Sequence, residues 1–459
     1  MVGSGAFVPA EELPVLPDSW QWRRLGDLVD QTRGICYGIV QPGKHDDSGI
    51  PMVNSQDVLD GSVARRIEFR VAGDIHAKFK RSTLRGGEIL LTLVGANFGR
   101  AAIAPENFSG FNCSRAVGVI PGCENPQFVM FCLRSPFMRR FLDNWANTTA
   151  QPTFNLKEVS NLPIPLPPPA EQRGIAAVLG ALDDKIELNR RMNATLEAAA
   201  RALFQSWFVD FDPVRAKLDG RAPANLDPAT SALFPASFQD TSLGAIPNGW
   251  RVMTLGNACA EGEGNIQTGP FGTQLHASDY VTEGIPSIMP SDLRDNRINI
   301  GSIARIREQD AERLSVYRVH PGDVVYSRRG DVERRSLIRR AEEGWLCGTG
   351  CLRVRFGPRG LNPFFGASHL GTLESRAWVV RHAVGATMPN LNTSILGALP
   401  MVVPPANLQA RYAEIVGPWD ERGTNALDQS RTLATLRDTL LPKLLSGELS
   451  VSTAAETIP

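Results

Sequence analysis

The most regular pattern in the chain lies between residues 169 and 212. Ile175, Leu179, Leu182, Ile186, Leu196 and Leu203 fall at spacings of four and three, and Asn189, Asn193 and Ala200 fill the remaining places of the series. An apolar side chain returning every 3.5 residues makes the seam of a long helix that packs on another helix. Asn189 and Asn193 in that seam predict a register fixed by polar groups at some cost in stability. A weaker series runs through Tyr412, Val416, Trp419, Ala426, Leu433 and Leu440, interrupted by Gly423, Ser430 and Arg437. Pro418 is expected to kink or delay this second helix. Helices of about 35 to 40 residues extend about 55 Å at 1.5 Å per residue. The simplest arrangement pairs the two antiparallel; in the alternative each packs on its own domain.

The remaining stretches have a different period. Short β-branched runs (Glu88–Val94, Ala116–Ile120, Asp323–Ser327 and Leu352–Phe356) alternate with glycine- and proline-rich turns, which predicts mixed α/β domains with several short strands. Proline-rich stops, Pro163 to Pro169 and Pro404-Pro405, precede both long helices, and proline suits a first helical turn.

These features occur twice. Trp20 with Leu25-Gly26 returns as Trp250 with Leu255-Gly256, and Gly49-Ile50-Pro51 as Gly284-Ile285-Pro286. Gly87-Glu88-Ile89-Leu90 returns as Gly322-Asp323-Val324-Val325, Asn155-Leu156 as Asn390-Leu391, and Leu162-Pro163 as Leu399-Pro400. The offset drifts by only a few residues over half the chain, which marks an internal duplication. The predicted organisation is a first domain over residues 1–168, a central helix over 169–212 and a linker over 213–240. A second domain over 241–404 and a C-terminal helix and tail over 405–459 complete it. The fold class is mixed α/β: two homologous globular domains, each followed by a long helix, the helices pairing as an antiparallel coiled coil.

Composition narrows the class without naming it. At 459 residues the chain is too long for one ordinary domain. The formal net charge is +0, so any surface for nucleic acid must be locally concentrated. Seven scattered cysteines suggest reduced thiols in a cytoplasmic protein. The opening residues, Met1 to Pro14, lack a basic stretch followed by an apolar core, which argues against a signal peptide. No apolar run approaches the ~20 residues that cross a bilayer, so no membrane partner is expected.

Catalytic motifs are imitated rather than met. Gly38 to Lys44 fits most of a phosphate loop, but His45 stands where the magnesium-binding hydroxyl belongs. Asn362-Pro-Phe-Phe365 lacks the second proline of an adenine-methyltransferase loop, and Cys347 and Cys351 lack a second pair of metal ligands. The expectation is no catalytic residue, no cofactor site and no metal site.

Candidate contacts to DNA come from local charge. Arg328, Arg329, Arg334, Arg335, Arg339 and Arg340 crowd one segment of the second repeat. In the first repeat the positive charge falls on Arg65, Arg66, Arg70, Lys78, Lys80, Arg81 and Arg85, and Asn97 and Arg100 occupy the place of the later arginine run. Arginine suits guanine edges and phosphates, while Asn and Gln suit adenine edges. Asn54, Gln56, Gln267, Thr268, Gln274 and Ser291 are therefore candidate base readers, though such residues also form turns. The competing view of the charged clusters is a solvated face. Trp20 and Trp250 are expected in the core. Trp207, Phe208 and Phe211 either cap the helix pair or form a docking surface, and the second option needs them exposed.

Several segments carry a family resemblance. Ala202-Leu-Phe-Gln-Ser-Trp-Phe-Val-Asp-Phe-Asp-Pro-Val-Arg-Ala-Lys217 resembles the end of the central helix of Type I restriction–modification specificity subunits. Leu182-Asp-Asp-Lys-Ile-Glu-Leu-Asn-Arg190 is similar to its start, and Pro163 to Arg173 to the approach. Gly269-Pro-Phe-Gly-Thr-Gln-Leu275 and Gly322 to Asp331 look like recurring recognition-domain segments. The resemblance implies two target-recognition domains that each read one half of a split, asymmetric double-stranded DNA target. It implies helices that set the spacing and dock two modification (methyltransferase) subunits, with restriction (translocase–nuclease) subunits in the full complex. It places AdoMet, ATP and Mg on those partners. Two other readings remain open: an enzyme with an unrecognised catalytic loop, and a DNA-binding repeat protein that acts alone.

Overall fold

The computed structural model describes residues 13–146, 153–294, 296–385 and 387–451. Residues 1–12, most of the opening stretch assessed above for a leader, lie outside the described residues, as do the last eight of the tail. The chain divides into two compact units, Met1–Arg191 with Ala426–Pro459, and Met192–Asn425.

The duplication is repeated in the strand pairing. In the first unit, Gln21–Arg24 pairs antiparallel with Pro163–Leu166. A four-stranded antiparallel sheet runs in the order Cys36–Tyr37, Val117–Ile120, Ile89–Thr92, Ala101–Ile103. Ile50–Val53 pairs antiparallel with Arg70–Val71 and parallel with Asn112–Cys113. In the second unit, Arg251–Thr254 pairs with Pro400–Val403, and a four-stranded sheet runs Asn265–Thr268, Cys351–Arg355, Val324–Ser327, Arg335–Leu337. Ile285–Ile288 again pairs antiparallel on one side, with Ala304–Ile306, and parallel on the other, with Leu346–Cys347.

Local chemistry explains why both copies fold alike. An acid opens each central strand and binds the turn before it: Arg85 N–H donates to Glu88 (2.8 Å) and His320 N–H to Asp323 (2.8 Å). A neighbouring arginine neutralises each, Arg33 on Glu88 (2.6 Å) and Arg355 on Asp323 (2.6 Å). The fully buried Ile89, Leu90 and Leu91 and their counterparts Val324, Val325 and Tyr326 then supply β-branched and bulky residues to the sheet. Both long helices begin with the same device. Gln172 Nε2 donates to the Pro167 carbonyl and Gln409 Nε2 to that of Pro404, each at 2.9 Å.

The first long helix spans Pro169–Phe204 and continues as a π-turn over Gln205–Val209. The second runs unbroken over Ala406–Ser446, so Pro418 does not delay it. Tyr412 and Val416 before it and Gly423 and Ala426 after it are buried, so packing on both sides of Pro418 offsets its one missing N–H. Within each unit the helices pair antiparallel. In the first, Asp183 meets Arg437 and Asn189 meets Gln429 (2.9 Å). In the second, Met192 meets Arg422 and Phe204 meets Tyr412. Of the seam residues, Ile175, Leu179, Leu182, Ile186, Val416 and Leu440 are buried, and Leu196, Leu203, Trp419 and Leu433 half-buried. Asn189 bonds across the seam, but Asn193 turns to Glu197 of its own helix (2.9 Å), with its amide oxygen in the space that a β-carbon on Gly423 would fill.

Trp207, Phe208 and Phe211 are buried and therefore form no docking surface. They pack with Phe204, Tyr412, Phe365 and Trp250. Phe211 takes the left-handed conformation (φ 58°) that ends the helix, held there by Phe238 and Trp250. Trp20 and Trp250 lie in the two main cores. The stretch 213–240 carries two short helices, Asp212–Leu218 and Pro228–Ala232, and buries Val214 and Phe234.

One aspartate on each long helix anchors the adjoining globular part. Asp183 receives Arg134 and Arg437, both at 2.7 Å. Its repeat counterpart Asp420 receives Arg339 at 2.6 and 2.7 Å and Arg297 at 3.3 Å. Burial alone raises the Asp420 pKa, but the hydrogen bond and charge of Arg339 and the charge of Arg297 outweigh it and hold it below its ordinary value. Such a carboxylate contributes stability above its unfolded pKa, about 3.9, and loses it as pH falls through the lower folded value. Asp420→Asn is expected to destabilise the second unit by about 3–5 kcal/mol near neutral pH, since Arg339 loses its ion-pair partner and Arg297 the nearer of its two. Its unfolding free energy, measured by denaturant titration from pH 7 to pH 3, should fall less steeply on the acid side than that of the unsubstituted chain.

Candidate functional site

The basic residues singled out in the sequence divide into structural and free groups. In the first unit, Arg65 pairs with Glu187 on the long helix (2.9 Å). Arg81 Nη2 donates to the Arg33 carbonyl (2.7 Å), bracing the buried Arg33–Glu88 pair. Arg70 Nη1 holds the Gly49 carbonyl (2.8 Å). Arg66, Lys78 and Lys80 are exposed, with no ion pair among the described residues. Asn97 donates to the Ser55 carbonyl (3.2 Å) and accepts at its own carbonyl from the Thr92 hydroxyl, so it shapes a turn; Arg100, which follows it, is half-buried.

In the second unit the arginine run is split by the fold. Arg339 is spent on Asp420, and Arg334 pairs with Asp331 (2.7 Å). Arg335 turns inward: its Nη2 stands 1.9 Å from where a β-carbon on Gly371 would be, and burial lowers its pKa. That geometry removes Arg335 from the outer face expected of it. Arg329 and Arg340 are exposed and form no ion pair among the described residues. Gln267 accepts from the buried Arg353 (2.7 Å), which also holds Asn265 (3.0 Å) and the carbonyls of Val316 and Arg318. Gln274 accepts from the Tyr317 hydroxyl (3.0 Å) and the Phe271 N–H (3.1 Å). Both glutamines therefore build the scaffold, and Thr268 is half-buried at the end of its strand.

Three loops meet at one end of the second four-stranded sheet. The loop after Thr268 presents Phe271, 54% exposed, and the Arg328 guanidinium lies 5.6 Å from its ring centroid. The Arg328 carbonyl accepts from Leu391 N–H (2.8 Å), and Gly330 N–H donates to the Pro389 carbonyl (3.0 Å). This ties the arginine loop to a segment that exposes Val384 and Met388. A cationic and apolar lip results, with Arg329 at its outer side. An aromatic ring and arginines on braced loops suit stacking on a base and contact with phosphate.

Phe271 was missed because an isolated exposed aromatic has no spacing signature, yet the duplication carries a signal. Gly38 and Gly269 each sit so close to a neighbouring backbone that a β-carbon would lie 2.0 and 2.1 Å from a carbonyl oxygen. The next residue is buried in both copies (Ile39, Pro270), and the one after is exposed in both (Val40 at 50%, Phe271 at 54%). Close approach at the glycine thus accompanies an outward apolar side chain twice.

All seven cysteines are free, and burial raises the pKa of Cys347 to about 12. Among the described residues no cluster of His, Cys, Asp and Glu could hold a metal ion, and no helix is long and apolar enough to cross a membrane.

Residues 17–198 match the family model described as the Type I restriction modification DNA specificity domain. The chain is 34% identical over 200 residues to the Type I restriction enzyme EcoBI specificity subunit of Escherichia coli, a match spanning 41% of this chain and 42% of that one. It is 24% identical to the HindI specificity subunit of Haemophilus influenzae across 87% of this chain and 94% of that protein. In fold it is similar to the crystal structure of a Type I restriction–modification S subunit from M. genitalium, with a TM-score of 0.58, 16% identity and coverage of 94% and 98%. The family model covers the first repeat, and the recurring strand pairing extends the same architecture to the second.

Two substitutions separate scaffold from surface. Gln267→Ala, which leaves part of the buried Arg353 unpaired, is expected to cost about 1–3 kcal/mol. Phe271→Ala should change stability by less than about 0.5 kcal/mol, as for an exposed side chain. Chemical denaturation of both variants checks the contrast.

Proposed function

We infer that this chain is a specificity subunit of the Type I restriction–modification kind, in which each recognition domain reads one half of a split, asymmetric double-stranded DNA target. The observation that carries this reading is the twofold recurrence of one domain topology followed by one long helix. The heads differ where they offer contacts: the second presents Phe271, Arg328 and Arg329, while the first presents Val40, Arg66, Lys78 and Lys80. Unlike contact sets suit unlike half-sites. Arg66, Lys78, Lys80, Arg329 and Arg340 are assigned to phosphates, which position a protein on the duplex without reading sequence. Phe271, steadied by Arg328, is assigned to a base in the second half-site.

The long helices are proposed to set the spacing between half-sites and to dock two methyltransferase subunits, with translocase–nuclease subunits joining the full assembly. The methyl donor, ATP and Mg belong on those partners in this reading, and the chain works in the cytoplasm as a non-catalytic reader. A DNA-binding repeat protein acting alone is the second reading, and it predicts no methylation phenotype.

The test is single-molecule methylome sequencing of cells carrying this chain with its neighbouring methyltransferase gene, with and without the chain. Methyladenine at one split, asymmetric motif should vanish on deletion; an unchanged pattern contradicts the assignment. In the assembled complex, Arg329→Ala with Arg340→Ala should lower the slope of log affinity against log salt by about one for each phosphate that is no longer neutralised. Fluorescence anisotropy at several salt concentrations reads that slope.

A further inference from the structure

The second unit contains a cavity of about 890 Å³, walled by the end of the first long helix, the start of the second, and the helices Pro363–His369 and Leu373–His382. That volume falls in the range of small-molecule sites, about 300–1,000 Å³. Its charged lining is unbalanced, with four arginines (Arg201, Arg297, Arg335, Arg376) against two carboxylates (Glu197, Asp420). Most of these are accounted for. Asp420 holds Arg297 and Arg339, Arg376 pairs with Glu333 (3.0 Å), and Arg201 lies 3.9 Å from Glu197. Arg335 alone has neither an ion pair nor a side-chain hydrogen bond among the described residues, and its Nε is shielded from solvent without a partner.

Two further shielded polar atoms without hydrogen-bond partners, Asn193 Oδ1 and Arg297 Nε, belong to residues that line the same cavity. The Arg335 guanidinium lies over the backbone of Gly371, where only a missing side chain leaves room for it. The next residue, Thr372, caps the ten-residue helix Leu373–His382, whose N-terminus adds partial positive charge at the same wall. Apolar surface faces this cationic end, from Leu196, Val416 and Trp419.

We propose that this cavity binds a small organic anion, a carboxylate or phosphate monoester carried on an apolar or aromatic body. The Arg335 fork would take the anion's oxygens in bidentate fashion beside the free N–H groups at the start of the Leu373–His382 helix. The apolar body would cover Leu196, Val416 and Trp419. Because Asp420 forms part of the wall, occupancy bears on the contact that fixes this globular part to its helix pair. The inference is independent of the DNA-reading assignment.

Isothermal titration calorimetry of the full chain with phenyl phosphate tests it, with inorganic phosphate and phenol as separate halves. Phenyl phosphate is expected to bind saturably at one site per chain, at least tenfold tighter than either half. Arg335→Gln should weaken it at least tenfold, and Leu196→Trp, which fills the cavity and leaves the guanidinium in place, should abolish it. Arg359→Gln, on the exposed surface, should bind as the unsubstituted chain does. Circular dichroism establishes that each variant is folded. Only heats of dilution at millimolar probe would mean the cavity holds water alone, and undiminished binding by the folded Arg335→Gln and Leu196→Trp proteins would place the anion elsewhere. Either result overturns the proposal.

Discussion

In each unit arginines converge on one aspartate of the helix pair, Asp183 in the first, which joins Arg134 of the globular part to Arg437 of the other long helix, and Asp420 in the second, which receives two arginines of the globular part. The two aspartates are repeat counterparts, but their partners are not: Arg134 and Arg437 serve the first, Arg297 and Arg339 the second. Forming a half-buried ion pair brings little net stability, whereas removing one member leaves the other desolvated and unpaired. The grip therefore acts mainly as a constraint on geometry. It constrains how each globular part sits on the helix that carries it, as the proposed reading of DNA at a fixed register would require.

The same economy of scaffold governs the recognition surface. Most polar residues near the candidate lip are consumed in bracing it: Gln267 by Arg353, Gln274 by Tyr317, Arg334 by Asp331. What remains free is small, namely Phe271 and Val40 at equivalent loop tips, and a few arginines and lysines without carboxylate partners among the described residues. A neutral chain can engage a polyanion on these terms, because cations paired with carboxylates cancel locally while unpaired ones do not.

The fold was largely legible in the sequence because its signals are periodic and occur twice. The 3.5-residue seam and the near-constant repeat offset identify helices and duplication without reference to any contact. Pro418 misled because one missing N–H is a local penalty, while the helix around it is held by tertiary packing through Tyr412, Val416 and Ala426. The candidate site was much less legible. Arg329 and Arg335 look identical in a charge run, yet one faces outward and the other lies over Gly371, a difference set by a close approach some 36 positions along the chain. Trp207, Phe208 and Phe211 read equally well as docking surface or core until Phe365, Tyr412 and Trp250 are brought around them.

The central claim is that one domain reads one half-site. It is tested most directly by exchanging residues 241–404 for the matching segment of another specificity subunit with a known target and mapping methyladenine across the genome of the host. The account predicts a hybrid motif in which one half changes to the donor's, and the other half is retained. Change in both halves, or in neither, with methylation still present, would contradict it.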